Sequence, residues 1–210
     1  MSSDYDLDLV VLTAGDDERQ VLTSILDDRR ESLRIRVVSH QILKHPRRDP
    51  GCLNEAETIL QPFCRRAHHA LVIFDHEGSG MESADPVDIE RSVSERLFAG
   101  GWGDRAATLV IVPELETWVW SDSPEVERVF EWSEGRTAMT RFLLDAGVAA
   151  GETGKFRPPK RAVELVLQRT GLKRSSALYG ELARSVSLHR CVDPSFKRLA
   201  TLLADWFPAF

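Results

Sequence analysis

Three short apolar runs constrain this chain most: LDLVVLT at Leu7 to Thr13, ALVIF at Ala70 to Phe74 and TLVIV at Thr108 to Val112. Each is too short for a typical helix and almost wholly apolar, the pattern of a strand buried on both faces. Helical periodicity separates them. Val21, Leu22, Ile25 and Leu26 follow the first run, and a second helix is expected from about Asn54 to Arg66. In Pro86 to Phe98, Ile89, Val93 and Leu97 fall four apart on one face. Apolar and charged residues alternate at Leu33 to Val38, which predicts a half-exposed strand. His45 to Gly51 (HPRRDPG) is expected to be a loop, since two prolines and a glycine oppose regular structure. Strands alternating with helices imply crossover connections, hence an α/β fold with a mostly parallel four-stranded sheet flanked by helices.

The strand signal stops after Trp120. Pro124 to Trp132, Thr137 to Asp145, Lys160 to Gln168, Ser176 to Val186 and Pro194 to Trp206 all read as helices. The expectation is an α/β domain over residues 1–122 and a C-terminal helical appendage over 123–210 packed on it. Gly147 to Pro159, with three glycines and two prolines, is the best boundary between segments. A chain of 210 residues is long enough to bury a substantial core.

The apolar runs Leu9 to Leu12 and Leu109 to Val112 are far too short to span a bilayer. The acidic start MSSDYDLDLVV lacks the basic region of a secretory signal. Cys52, Cys64 and Cys191 are odd in number and form no CxxC pair, which suits a reducing cytoplasm. A net charge of −6 argues against a polyanionic partner, but the charge is unevenly spread. Residues 155–210 hold 11 Lys and Arg against 4 Asp and Glu, and the remainder holds 16 against 29. Such a basic flank reads either as ordinary solvated helix faces or as a guide for nucleic acid toward an acidic centre.

Acids follow three of the four expected strands. Asp16, Asp17 and Glu18 follow the first, Asp75 and Glu77 the third, Glu114 and Glu116 the fourth. In an open parallel sheet, ligands bind beyond the carboxyl ends of the strands. Converging carboxylates repel unless protons, basic groups or a cation offset them, and hard oxygen ligands suit Mg²⁺ or Mn²⁺. Any one of these acids is also an ordinary polar strand end; the joint pattern is more specific. The expected metal ligands are Asp75, Glu77, Glu114 and Asp16.

Arg47 and Arg48, held between Pro46 and Pro50, suit phosphate recognition or support of the acids. Lys173 and Arg174 precede Ser175, a candidate helix cap, and form either a phosphate site or a plain helix start. His45 and His76 are the histidines best placed to move protons, although His76 points away from Asp75 and Glu77 if that segment is extended. Trp118 and Trp120 read as a base-stacking platform or, more simply, as helix-to-sheet packing. No G-x-x-x-x-G-K-[ST] and no G-x-S-x-G occurs, which removes a P-loop and a hydrolase elbow.

The arrangement over roughly residues 6–120 resembles the Toprim fold of primases, topoisomerases and overcoming-lysogenization-defect-type nucleases. That fold carries an acid after its first strand and a DxD-like pair after its third. The resemblance implies catalytic roles for Glu18 (or Asp16), Asp75 and Glu77, with Mg²⁺ or Mn²⁺ as cofactor. The sequence departs from the pattern in lacking Val-Glu-Gly after the first strand, in having DxE for the pair, and in having no third aspartate there. Over its whole length the chain is similar to a small subunit of bacterial methylation-associated defence systems. HPRRDPG, LVIFDHEGSG (Leu71 to Gly80), GWGDRAA (Gly101 to Ala107), PELETWVWSDSP (Pro113 to Pro124) and RSSALYGELA (Arg174 to Ala183) carry that similarity. It implies anti-phage defence alongside partner subunits. Two functions follow as expectations: a metal-dependent nuclease or phosphodiesterase, or a catalytically inactive adaptor or sensor that docks other defence proteins. A non-hydrolysing nucleotide-binding regulator is the third reading.

Overall fold

The computed structural model describes residues 5–151 and 155–209. The first four residues of the N-terminal stretch and the middle of the Gly147 to Pro159 boundary therefore lie outside the described residues. The chain begins with β1 (Leu7–Thr13), α1 (Asp16–Asp28), the single-turn α2 (Arg30–Leu33) and β2 (His40–Lys44). Next come α3 (Arg48–Leu60), β3 (Ala67–Asp75), α4 (Pro86–Leu97) and β4 (Ala106–Ile111). The remainder is α5 (Glu116–Val119), α6 (Glu125–Val129), α7 (Arg136–Asp145), a two-residue pair β5 (Ala149–Ala150) and β6 (Phe156–Arg157), α8 (Pro159–Thr170), α9 (Ser176–Ser185) and α10 (Pro194–Trp206). The main sheet has the order β2-β1-β3-β4 and all of its pairings are parallel.

Alternation along each strand sends successive side chains to opposite faces. Leu9, Val11, Leu71, Ile73, Leu109 and Ile111 pack with α1 and the C-terminal helices. Val10, Leu12, Ala70, Val72, Phe74 and Val110 pack with α3 and α4. Both faces are covered, as a parallel sheet requires. The C-terminal helices share one continuous core with the sheet, from Leu9 and Val11 through to Leu203 and Phe207. α9 lies against α1 at Gly180, where a Cβ would come within 2.6 Å of Gln20 Cγ. Arg29 donates to the carbonyls of Ala183, Arg184 and Val186 and so closes the end of α9. A guanidinium satisfies the orphan carbonyls there and complements the helix dipole.

Two local expectations are corrected. Leu33 to Val38 is not a sheet strand. Arg34 ends α2 in the left-handed conformation, Ile35 bridges Pro208, and the Arg36 N–H donates to the Phe207 carbonyl. Its alternating pattern serves pairing with the end of the chain, and the fourth sheet strand is His40–Lys44 instead. HPRRDPG is also not wholly loop, because α3 begins inside it at Arg48. Proline is tolerated in a first helical turn, where its missing N–H would have had no partner.

Candidate functional site

Strand order reverses direction between β1 and β3. The chain leaves β1 toward β2 on one side and leaves β3 toward β4 on the other, which opens a crevice beyond their carboxyl ends. Glu18 reaches this crevice from the first turn of α1, and Asp75 ends β3. A third acid, Asp49, comes from the first turn of α3. One oxygen from each of these three lies within 4.8 Å of the others, a spacing able to hold a cation.

Backbone geometry fixes each member. The Asp75 N–H donates to Asp49 Oδ1 at 2.9 Å, so Asp49 is tied directly to the end of β3. Glu18 folds back over Gly15, where a Cβ would sit 2.7 Å from Glu18 Oε2. His45, fully buried, accepts the Arg47 N–H on Nδ1 at 3.0 Å and sets the turn that starts α3. Its ring occupies the space a Gly51 side chain would need, 1.9 Å from the Cβ position. Burial holds His45 below its ordinary pKa, and its ring also lines the cleft described below.

The triad is electrostatically unsatisfied. Asp75 Oδ1 and Glu18 Oε2 are buried without a hydrogen-bond partner. Burial, reinforced by the charges of Glu18, Asp49, Glu116 and Glu114, pushes the Asp75 carboxyl well above its ordinary range. Burial, with Asp49, Asp17 and Glu116 adding to it, raises Glu18 to about 7. Asp49 is raised by burial as well. Each orphan oxygen costs about 1–3 kcal/mol. Leu9, Val10, Val11 and Leu12, all fully buried, each contribute roughly 1.5–3 kcal/mol, which is enough for the fold to carry that cost. A bound cation would give these oxygens the partner that buried polar groups ordinarily have.

The triad lies in a cleft of about 500 Å³ that is also lined by Asp16, Asp17, Glu116 and the cations Lys44, Arg48, Lys160 and Arg174. Lys44 Nζ and Arg19 each hold Asp16 at 2.6 Å, on the exposed rim rather than in the triad. Arg174 spans Asp17 Oδ2 and Glu116 Oε1, each at 2.8 Å. The buried Tyr179 hydroxyl donates to the same Glu116 oxygen at 2.8 Å. Burial, with Glu116 beside it, keeps that phenol above its ordinary pKa and protonated.

The remaining residues singled out from the sequence are not brought into the cleft. Glu77 is exposed, lies outside the lining, and acts on Glu114 rather than pairing with Asp75. Glu114 is buried and accepts the Lys160 N–H at 3.1 Å, which fixes the start of α8. Arg47 pairs with Glu55, and Lys173 is exposed outside the cleft; Ser175 caps α9 through the Leu178 N–H. His76 Nε2 meets the Ala84 carbonyl at 3.1 Å, and its ring secures the segment before α4. Trp118 and Trp120 are core residues whose indoles donate to Ser195 Oγ and to the Pro159 carbonyl. Sequence reasoning missed Asp49 and Lys160. The available signal for Asp49 was an acid within the unusual HPRRDPG segment; Lys160 had none beyond its place after two prolines.

Among the described residues, no helix is long and apolar enough to cross a membrane, and all three cysteines are free. Compared with family models, curated proteins and solved structures, the chain has no match.

Proposed function

We propose that this chain is a Toprim-like, Mg²⁺- or Mn²⁺-dependent phosphodiesterase, acting as a nuclease in a bacterial anti-phage defence system. The observation that carries the reading is the Glu18–Asp49–Asp75 triad, with two orphaned buried oxygens, in a crevice whose walls supply cations. Position supports it too, since Glu18 follows β1 and Asp75 ends β3, where Toprim-type folds carry cation-binding acids. Glu18, Asp49 and Asp75 would hold the ion, which when bound supplies Lewis acidity and offsets phosphate charge. Arg48 faces the same cleft and orients the phosphate. Arg174 fastens Asp17 and Glu116, which keeps two more carboxylates from crowding the triad.

The segments similar to a methylation-associated defence subunit support the cellular role. Four of the five contribute cleft residues: Arg48 and Asp49, Asp75, Glu116, and Arg174. The free cysteines agree with a cytoplasmic setting. A second reading, the inactive adaptor, is favoured by a separate cleft of about 820 Å³ around which Val87, Val112 and Val192 stand exposed.

Asp75→Asn separates the two. It keeps side-chain size and removes the charge, so metal-dependent DNA cleavage should fall at least roughly 10²-fold. Phage protection by cells carrying the complete system should be lost at normal protein levels. Full protection with Asp75→Asn would overturn the enzyme reading in favour of the adaptor.

A further inference from the structure

Four cations line the acidic cleft, but two of them are already occupied. Lys44 is bound to Asp16, and Arg174 to Asp17 and Glu116. The side chains of Arg48 and Lys160 have no hydrogen-bond or ion-pair partner among the described residues. We propose that Arg48 and Lys160 are the two arms of a clamp for the substrate phosphodiester, reaching over the triad from the start of α3 and the start of α8. The proposal rests on the metal-dependent reading above and extends it. The C-terminal helical layer then supplies half of the phosphate site.

Each of these two cations stands on a well-defined backbone and lines the cleft. Arg48 has φ +54°, a left-handed conformation that disfavours any side chain with a Cβ and suits glycine. Within the fold its side chain makes no bond to offset that strain. Lys160 is the converse: its backbone is fixed while its ammonium is free. Its N–H is held by Glu114 Oε1 at 3.1 Å, and the carbonyl of the preceding Pro159 is held by Trp120 Nε1 at 3.1 Å. Both cations line the cleft that holds Asp49. They enter it from two different elements, the first turn of α3 and the first turn of α8. A guanidinium offers a planar pair of donors to two phosphate oxygens, and an ammonium adds a compact charge. The first turn of α8, a 12-residue helix, contributes its positive dipole end on the same side.

The test uses the full chain with Mn²⁺ and deoxythymidine 3′,5′-bisphosphate as a non-cleaved probe, read by calorimetry. Lys160→Ala and Arg48→Ala are each expected to weaken probe affinity roughly 10- to 100-fold, the loss of one charged hydrogen bond, without weakening Mn²⁺ affinity. Arg47→Ala and Lys173→Ala, outside the cleft, should match wild type. Arg48→Gly should lose the probe as Arg48→Ala does while melting at a higher temperature than wild type, because glycine relieves the backbone. Wild-type probe affinity in Lys160→Ala would overturn the clamp and leave the metal reading standing. So would equal losses of probe and Mn²⁺ affinity, or a wild-type protein that binds Mn²⁺ but not the probe. Failure of the wild type to bind Mn²⁺ at all would instead remove the reading on which the clamp rests.

Discussion

Glu18 and Asp75 each hold one oxygen in the interior without a donor, so in the metal-free protein protonation is the cheapest relief. Glu18 keeps its proton up to about pH 7, whereas an unfolded glutamate releases it near pH 4.5. Between these values the folded state binds more protons than the unfolded one, so the stability this group contributes is lost as pH rises. A histidine with a lowered pKa acts oppositely: the half-buried His69, held at about 4 by burial and by His68, favours folding as pH rises through the ordinary histidine range. The carboxyl effect must therefore be read as a difference. In metal-free buffer, Glu18→Gln should gain melting temperature relative to wild type as pH is raised from 5 to 8, and saturating Mn²⁺ should reverse that advantage. A difference independent of pH would show that Glu18 titrates normally. At this scale Glu18 and Asp75 were legible because each closely follows an unmistakable strand. Asp49 was not, since its place beside Asp75 depends on how β2 leads into α3.

Elements buried on both sides were the easiest to read. Leu7 to Thr13 forms β1 as expected, and Pro194 to Trp206 forms α10. Errors arose where sequence pattern is shared by several geometries. The alternation at Leu33 to Val38 reports one buried face, and that face meets the chain's own C-terminal end rather than the sheet. The prolines of HPRRDPG punctuate, but a first helical turn absorbs them as readily as a loop does. Helix caps show how differently one residue type works at two sites. Asp85 is an exposed cap of α4, accepting only the Val87 N–H. Asp193 caps α10 through the Ser195 and Phe196 N–H groups and also holds the buried Lys155 ammonium at 3.0 Å. Asp85→Ala should cost about 1 kcal/mol, the usual value of a cap. Asp193→Ala leaves the buried Lys155 ammonium with Thr117 but without a counter-charge and should cost about 3–5 kcal/mol. Urea unfolding at constant slope measures both; equal losses would mean that Lys155 finds another partner.

At the scale of the molecule, the uneven charge serves first to join its halves. Arg174 pairs with Asp17 and Glu116, Arg198 with Glu90, and Arg184 reaches Ser24, so several C-terminal cations are spent on the acidic body. Lys160 is left for the cleft. The sheet places Glu18 and Asp75, the β2–α3 turn brings Asp49, and the C-terminal layer forms one wall, so the site belongs to the entire chain. Parallel topology made its location foreseeable; its membership depended on tertiary contacts that composition and periodicity do not encode. The central claim is that Glu18, Asp49 and Asp75 form a divalent-cation centre. A crystal of the full chain soaked in Mn²⁺ and measured for manganese anomalous scattering tests it most directly. The predicted result is a peak within coordination distance of one oxygen from each of the three residues, lost in Asp75→Asn. A peak between Glu77 and Glu114 instead, or none at the triad at saturating Mn²⁺, would contradict it.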